Sequence, residues 1–175
     1  MRRRKRRLRS LIGWAAVIAL ALALGLAART WLGCPVRVAG SSMEPTLRDG
    51  ELVFVTKFDY LRSAPARGDV TLCSLPGRAG EYVKRVIGLP GETVRIVSGQ
   101  VYIDGTPLEE PYAAPAEEDF ARTLGEDEYL VMGDNRPASY DSREEDIGSL
   151  ASGDFRGRVR CVLWPLERLF AGVTD

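Results

Sequence analysis

The sequence predicts a mostly β protein, in which a single β-rich domain follows one N-terminal transmembrane helix. From residue 51 onward, short apolar runs alternate with glycine and proline, which is the pattern of short strands joined by turns. Before them lies a stretch of eighteen residues without a charge, long enough for a helix to cross a bilayer. At 175 residues, the chain is sized for one domain with such an appendage.

Positive charge is concentrated at the N-terminus. Residues 1–10 hold seven of the 24 Lys and Arg residues and no acid, so the other 17 face all 24 acidic residues. A nucleic-acid-binding domain keeps its positive charge on its folded surface. This distribution therefore argues against nucleic acid as a partner, and we predict a basic cytoplasmic head at residues 1–10.

Residues 11–28 are predicted to be the transmembrane anchor. As a helix they would reach about 27 Å, close to the thickness of the hydrocarbon core of a bilayer. Trp14 and Trp31 lie near the two ends, where indole rings favour the interface. Seven positive charges before the span against one, Arg29, directly after it place the N-terminus in the cytoplasm. We therefore expect a single pass through the plasma membrane, with the body on the extracytoplasmic face.

Two cleaved signals are alternatives to a retained anchor. A basic head before an apolar run also describes a secretory signal peptide, although eighteen residues is long for its apolar part and residues 27–29 (Ala-Ala-Arg) are an indifferent cleavage site. A lipoprotein signal ending at Cys34 fits less well, because Arg29 interrupts the apolar run before it. The body is exported under each alternative.

The body is predicted to be one domain at residues 40–175, after a connector at 29–39 in which Pro35 prevents a simple continuation of the helix. Strands are predicted near Glu51–Phe58, Val70–Leu75, Tyr82–Ile87, Thr93–Val97, Val101–Ile103, Glu128–Met132 and Gly157–Leu163. Turns are predicted at Ser98-Gly99, Asp104-Gly105 and residues 77–80. Pro107–Glu126, rich in proline, alanine and acid, is interpreted as a surface excursion of low order.

The three cysteines, Cys34, Cys73 and Cys161, are too few and too scattered for a disulfide framework or a zinc site. Cys73 and Cys161 lie in apolar, strand-like runs and are interpreted as core residues. One disulfide with an odd thiol left over is the alternative. No metal and no other cofactor is expected.

The chain contains no histidine. This excludes Ser-His-Asp and Cys-His hydrolases, histidine-ligated zinc proteases and histidine phosphoryl carriers. It also has no glycine loop of the Walker or dinucleotide-binding type. A hydrolase with this sequence would need a carboxylate, a lysine or an N-terminal amine as its general base.

Lysine is rare in this chain, which has 21 arginines and only three lysines. Lysine can lose its proton when desolvated, whereas arginine cannot. Lys5 lies in the basic head and Lys57 at the polar end of a strand-like run, where solvation is expected. Lys84 lies within a strand-forming segment, on the same face as Tyr82 and Val86. Burial there would lower its pKa; an exposed lysine on an edge strand is the alternative.

The candidate nucleophile lies in residues 40–47, GSSMEPTL. Small residues let the backbone approach a substrate, and Pro45 stiffens the turn that would present a hydroxyl. Taken by itself, such a segment is most often an ordinary loop. Its interpretation depends on the segments that accompany it.

Four segments, in order, resemble the boxes of the type I signal peptidase family, the Ser/Lys leader peptidases. Ser42–Leu47 matches the SMxPTL nucleophile box, and Arg67–Val70 (RGDV) matches a structural box. Tyr82–Glu92 is similar to the general-base box, which usually ends in Gly-Asp. Residues 133–143 resemble the C-terminal GDNRxxSxDSR box. With the anchor and the basic head, the resemblance covers nearly the whole chain.

The resemblance implies a β fold of the signal-peptidase or LexA-like kind and the activity of signal peptidase I. Such a serine endopeptidase cuts signal peptides from exported preproteins after small residues, usually in an Ala-x-Ala pattern. Ser42 would be the nucleophile that forms an acyl-enzyme, Lys84 the neutral general base, and Ser139 the hydroxyl that orients the lysine amine. Supporting roles would fall to Asp134, Arg136, Asp141 and Arg143, and Met43 and Tyr82 are candidates for the substrate pocket.

Two positions depart from the family pattern. Pro137-Ala138 stands where the family often has Asp-Asn, in the loop that would brace the site. Gly40 replaces a Ser or Thr hydroxyl that some members use in the oxyanion hole, which leaves most of that role to the Ser42 N–H.

Three other functions are weighed against this one. A Ser/Lys peptidase that matures pilin or conjugation proteins would share these boxes, although the full GDNR segment favours the general enzyme. A self-cleaving regulator of the LexA type needs a DNA-binding or effector part for which the chain has no room. A catalytically inactive, membrane-tethered binding module is the alternative outside enzymology.

Overall fold

The computed structural model describes residues 14–23, 25, 33–169 and 173. Residues 14–23 and 25 are helical and exposed. Among the described residues, no helix combines the length and the apolar character needed to cross a membrane. The predicted basic head lies outside the described residues, as do parts of the predicted anchor at 11–28.

From residue 34 onward, the described chain consists mainly of short strands. They are β1 (Cys34–Arg37), β2 (Leu52–Thr56), β3 (Val70–Cys73), β4 (Tyr82–Gly88), β5 (Thr93–Val97), β6 (Gln100–Ile103), β7 (Thr106–Pro107), β8 (Phe120–Thr123), β9 (Leu130–Met132) and β10 (Phe155–Trp164). A short helix spans Asp59–Arg62, and 3₁₀ turns span Arg136–Ala138, Ser152–Asp154 and Leu166–Arg168. The mostly β fold predicted from the sequence is confirmed.

The strands form two antiparallel sheets. The larger has the order β1-β2-β10-β3-β4-β9 and the smaller the order β7-β6-β5-β8. All seven predicted strands are present, with ends that differ by a few residues. Three apolar clusters fill the interior, and β4 contributes residues to two of them, Val86 to one and Ile87 to another. The strand that carries Lys84 is therefore buried from both faces.

The predicted connector at 29–39 was wrong in part, because it contains β1. Pro35 lies in this strand opposite Phe54 of β2. Proline cannot donate to a ladder of hydrogen bonds, but β1 is the edge of the larger sheet, where proline is tolerated. Pro35 therefore does not prevent a strand at this position.

The interpretation of Pro107–Glu126 as a low-order excursion was also wrong. This stretch contains β8, which pairs with β5 through Phe120 and Ile96. Ala116 and Leu124 are buried in the cluster under the smaller sheet. The sequence does not reveal this order because it depends on pairing with distant strands rather than on local alternation.

The predicted turns are confirmed. Ser98 and Gly99 have φ angles of 49° and 83° and link β5 to β6 as a two-residue hairpin turn. Asp104 and Gly105 link β6 to β7 with the same left-handed pair. Residues 77–80 lie in the loop between β3 and β4.

The cysteines match the core prediction only in part. Cys73 is fully buried, whereas Cys161 on β10 is half-buried. All three thiols are free, so the alternative of a disulfide is wrong. Lys57 is exposed, as its position at the end of a strand predicted.

Candidate active site

Lys84 is the buried lysine at the centre of the site. It lies in the middle of β4, opposite Thr71 of β3, and only 3% of the residue is exposed. Burial away from water lowers the pKa of Lys84 below its usual range, although the negative charge of Asp141 acts to raise it. None of the salt bridges among the described residues includes Lys84. The predicted burial of this lysine on a strand is confirmed.

The hydroxyl of Ser139 joins Lys84 to the rest of the site. Lys84 Nζ lies 2.9 Å from Ser139 Oγ, and the Gly133 N–H donates to the same oxygen at 3.1 Å. Ser139 Oγ in turn donates to Asp141 Oδ2 at 2.6 Å. A serine hydroxyl has one proton, and here it is directed to the carboxylate. The hydroxyl therefore accepts from Lys84, which leaves the lone pair of a neutral amine uncommitted.

Asp141 is an ionised anchor of this network. Burial favours the neutral acid, but the guanidinium of Arg143 and the bonds from Ser139 and Gly133 outweigh it and hold the pKa of Asp141 below its usual value. Arg143 Nε donates to Asp141 Oδ1 at 2.9 Å. Arg143 also donates to the carbonyl oxygens of Arg136 and Ser139, at 2.8 and 3.1 Å. Asp141 and Arg143 thus fix the hydroxyl and the carbonyl of Ser139 in position.

Asp134 and Arg85 form a second, fully buried ion pair. Arg85 Nε and Nη2 donate to the two oxygens of Asp134 at 2.9 and 2.8 Å, and both side chains are completely buried. The Thr46 hydroxyl donates to Asp134 Oδ2 at 2.5 Å. Arg85 Nη1 reaches the carbonyl of Gly68, in the predicted RGDV box, at 3.0 Å. This pair and its partners connect all four boxes found in the sequence.

Ser42 lies against the turn that follows β9. The Asn135 N–H donates to the Ser42 carbonyl at 3.0 Å, and Asn135 Nδ2 donates to the Ser41 carbonyl at 3.2 Å. A Cβ at Gly133 would lie 2.4 Å from the Ser42 oxygen and 2.2 Å from Ser139 Oγ. Only glycine permits so close an approach. Gly133 is therefore the common neighbour of the Ser42 backbone and the Ser139 hydroxyl.

Ser42 is a half-buried residue. No hydrogen bond between Ser42 Oγ and Lys84 Nζ is found among the described residues. The two residues are instead linked through Gly133 and Ser139.

A cavity of about 170 Å³ opens beside Ser42. Met43 and Tyr82, the two candidates for a substrate pocket, both line it. Leu72 and Val83 contribute further apolar surface. The lining of the cavity is therefore partly apolar.

The loop with the unusual Pro137-Ala138 pair is closed by its own backbone. Residues 136–138 form a 3₁₀ turn, in which the Ala138 N–H donates to the Asn135 carbonyl at 3.0 Å. Proline fits near the start of such a turn, where its missing N–H has no partner to lose. Both Pro137 and Ala138 are exposed, so the departure from the family pattern leaves the inner contacts of Arg136 intact.

Five residues of the site were not predicted from the sequence. Three of them, Thr46, Arg85 and Asn135, stand inside recognised boxes, which was the available signal. The other two are Glu110 and Tyr112. Arg85 was assigned to the strand face opposite Lys84, and both faces are buried.

No described group of His, Cys, Asp and Glu residues has the arrangement of a metal site.

Comparison with known proteins also points to the signal peptidases. The family described as "Signal peptidase, peptidase S26" matches residues 11–164. Signal peptidase I P of Bacillus subtilis subsp. natto is 35% identical over 173 residues, covering 91% of this chain and 92% of that protein. Signal peptidase I S of Bacillus subtilis is 36% identical over 174 residues, covering 92% and 93%. A crystal structure of a signal peptidase I from Enterococcus faecalis is 32% identical, with a TM-score of 0.50, over 55% of this chain and 97% of that one.

The fold and these similarities define a serine peptidase, a hydrolase that works without histidine. The chain belongs to the signal peptidase family, peptidase S26. The resemblance inferred from four sequence boxes is therefore confirmed.

Proposed function

We propose that this protein is a signal peptidase I that removes N-terminal signal peptides from exported preproteins. The observation that carries the proposal is the environment of Lys84. Its amine is buried and lies 2.9 Å from a serine hydroxyl. A lysine held in this way can serve as a neutral base in a chain that has no histidine. The relatives named signal peptidase I support the same substrate class.

Ser42 is the proposed nucleophile and Lys84 its general base. The amine takes the hydroxyl proton as Ser42 Oγ attacks the scissile carbonyl, and returns it to the leaving amine of the mature protein. This step leaves the signal peptide as an ester on Ser42. Lys84 then takes a proton from water as the water oxygen attacks the ester carbonyl. It returns this proton to Ser42 Oγ as the ester bond breaks, so the signal peptide leaves with a free carboxyl group and the serine is regenerated. The mechanism requires Ser42 Oγ to close on Lys84 Nζ when substrate binds, as catalytic hydrogen bonds often tighten in the Michaelis complex.

The oxyanion would be held by the Ser42 N–H. No bond from this N–H to another backbone group is found among the described residues, so the donor is available to a substrate. Gly40 has no side-chain donor, and its own N–H is committed to Asp49 at 2.8 Å. One oxyanion donor contributes about 2.7–4 kcal/mol to transition-state stabilisation where it has been removed by mutation.

The cavity lined by Met43 and Tyr82 is proposed to receive small substrate residues. It lies beside Ser42, where the substrate residues next to the scissile bond would bind. The preference for Ala-x-Ala is proposed from the family resemblance.

The peptidase is proposed to act at the extracytoplasmic face of the plasma membrane. The uncharged stretch at 11–28 would be its retained single-pass anchor and residues 1–10 its cytoplasmic head. Such an anchor would hold the site near the bilayer in which signal peptides are embedded.

The test is cleavage of a preprotein by the detergent-solubilised full chain. Wild type should release mature protein by a cut after Ala-x-Ala, and Ser42→Ala should release none. Ser41→Ala is the matched control, because this neighbouring serine is exposed and only its backbone carbonyl contacts the site. Equal cleavage by Ser42→Ala and wild type would refute the proposal.

A further inference from the structure

The segment from Leu108 to Ala116 contacts the turn that follows β9. The Ala114 N–H donates to the carbonyl of Asp134 at 2.9 Å. The segment is attached to β6 by the Leu108 N–H, which donates to Val101 O at 2.8 Å. It therefore connects the smaller sheet to the turn that follows β9.

Glu110 holds the guanidinium of Arg136. Arg136 Nη2 and Nη1 donate to its two carboxylate oxygens at 2.6 and 3.2 Å. The Glu110 side chain is only 8% exposed and that of Arg136 only 1%. Arg136 Nε donates to the carbonyl of Gly133 at 2.9 Å. The N–H of the same glycine bonds to Ser139 Oγ at 3.1 Å. Glu110 is thus linked through Arg136 and Gly133 to Ser139, the hydrogen-bond partner of Lys84.

Tyr112 holds the other buried arginine. The Arg85 guanidinium lies 3.8 Å from the centre of the Tyr112 ring, in a cation–π contact. The Tyr112 hydroxyl donates to Glu110 Oε1 at 3.0 Å. Arg85 binds Asp134 with two hydrogen bonds. Glu110 and Tyr112 therefore form one unit that contacts both arginines of the site.

We propose that Glu110 and Tyr112 are positioning residues for the hydrolytic reaction, holding Arg136 and Arg85 so that the turn at 133–139 keeps Ser139 against Lys84. This inference rests on the proposed function. Neither residue is hydrogen-bonded to Ser42 or Lys84 among the described contacts. They act through the two arginines.

Loss of the Glu110 charge would free Arg136 to turn outward. A cavity of about 390 Å³, lined by Glu110 and Arg136 among others, offers the space. A second cavity of about 220 Å³ is lined by Arg136 and Ser139 among others. Once Arg136 leaves, water can enter toward Ser139 and Lys84. The amine then becomes easier to protonate, so the pH dependence of the reaction changes along with its rate.

The test measures steady-state cleavage of a preprotein by Glu110→Gln, Tyr112→Phe and Tyr112→Leu in the solubilised full chain. We expect kcat to fall about 10- to 100-fold in Glu110→Gln with KM nearly unchanged, because misplaced catalytic groups cost rate rather than binding. The midpoint of the rising limb of kcat against pH should move to higher pH. Tyr112→Phe, which keeps the ring, should lose less than Tyr112→Leu.

Glu109→Gln is the matched control, since Glu109 is the exposed neighbour of Glu110. It should keep wild-type kcat and the wild-type pH midpoint. In an Arg136→Gln background, Glu110→Gln should cause less than about a threefold further loss, because the two act in series.

An unchanged kcat and pH midpoint in folded Glu110→Gln and Tyr112→Leu would overturn the inference, and so would an undiminished effect of Glu110→Gln in the Arg136→Gln background. If Glu110→Gln does not fold, Tyr112→Leu against Tyr112→Phe decides by the same two readouts. Wild type that cleaves nothing, or Ser42→Ala that still cleaves, would instead refute the proposed function, and the inference with it.

Discussion

Lys84 Nζ and Ser139 Oγ lie 2.9 Å apart in the buried centre of the site, although 55 residues separate them in the sequence. The serine proton is engaged by Asp141, so the contact orients the lysine amine without placing a carboxylate directly on it. An amine that is buried and oriented in this way is suited to accept a proton. The expected outcomes below follow from that arrangement.

Lys84→Arg should abolish preprotein cleavage as completely as Lys84→Ala, because a guanidinium cannot accept the Ser42 proton. In wild type, burial lowers the pKa of Lys84 from its usual value of about 10.5. The neutral fraction, and with it the rate of acylation, should therefore rise with pH through that lowered pKa. The measurement is cleavage across a pH series by wild type and both variants. Appreciable activity of folded Lys84→Arg would show that the lysine serves only as a charge.

Ser139→Ala should lower kcat by about two orders of magnitude, because the amine loses the hydroxyl that orients it. The fold should be little affected, since the Gly133 N–H keeps its bond to Asp141 at 2.9 Å. Ser142→Ala is the control: Ser142 is also a buried serine that accepts from a backbone N–H, Val131 N at 3.1 Å, but it does not contact Lys84. Single-turnover kinetics together with thermal unfolding separate the two effects. Similar kcat losses in the two variants would contradict an orienting role.

Lys84→Met should be more stable than wild type at neutral pH, by a margin that shrinks as pH rises. The folded state lowers the pKa of Lys84, so the unfolded state binds more protons and wild-type stability increases with pH up to about 10.5. Methionine has no such proton, and its stability lacks this slope. Chemical unfolding of both proteins at several pH values gives the difference. A margin that stayed constant with pH would mean that the lysine is not desolvated in the folded protein.

Asp134→Asn should destabilise the fold by about 3–5 kcal/mol, because it leaves the Arg85 charge buried without its ionic partner. Asp146→Asn is the control, since it breaks an ion pair with Arg78 in which both side chains are about half exposed. Exposed pairs contribute little because water and salt screen them. The free energy of unfolding of each variant provides the comparison. Equal, small effects would contradict the buried character of the first pair.

Deletion of residues 1–32 should give a protein that no longer needs detergent and cleaves short peptides, but processes membrane-embedded preproteins poorly. The deletion removes the predicted anchor and ends before β1, the first strand of the larger sheet. N-terminal sequencing of the full-length protein from membranes should find the basic head still attached. A mature chain that starts near Arg29 or Cys34 would favour a cleaved signal.

Much of the site could be predicted because its chemistry is local in the sequence. The absence of histidine and the rarity of lysine left Lys84 as the candidate base, and Ser42, Ser139 and Asp141 stood in recognisable boxes. Strands such as β4 and turns such as Ser98-Gly99 could be predicted for the same reason, since alternation and turn residues act over a few neighbouring positions.

Other features were decided by tertiary structure. Strand alternation placed Lys84 and Arg85 on opposite faces, but it could not show that both faces are covered, because the cover comes from distant segments. The acidic, proline-rich stretch after β7 looked unstructured, yet Glu110 and Tyr112 bind the two buried arginines.

The sequence by itself therefore determined the family and the mostly β class, and it predicted the reactive side chains, because each depends on residue type and short-range spacing. Only the tertiary structure decided the ion pairs, the order of the strands in each sheet and the direction of the Ser139 proton. The strand order and the ion pairs of Arg85 and Arg136 depend on groups that meet across tens of residues, and burial makes an unpaired charge too costly to leave. The Ser139 proton goes to Asp141, two residues away, but the Lys84 amine that this serine contacts comes from 55 residues away.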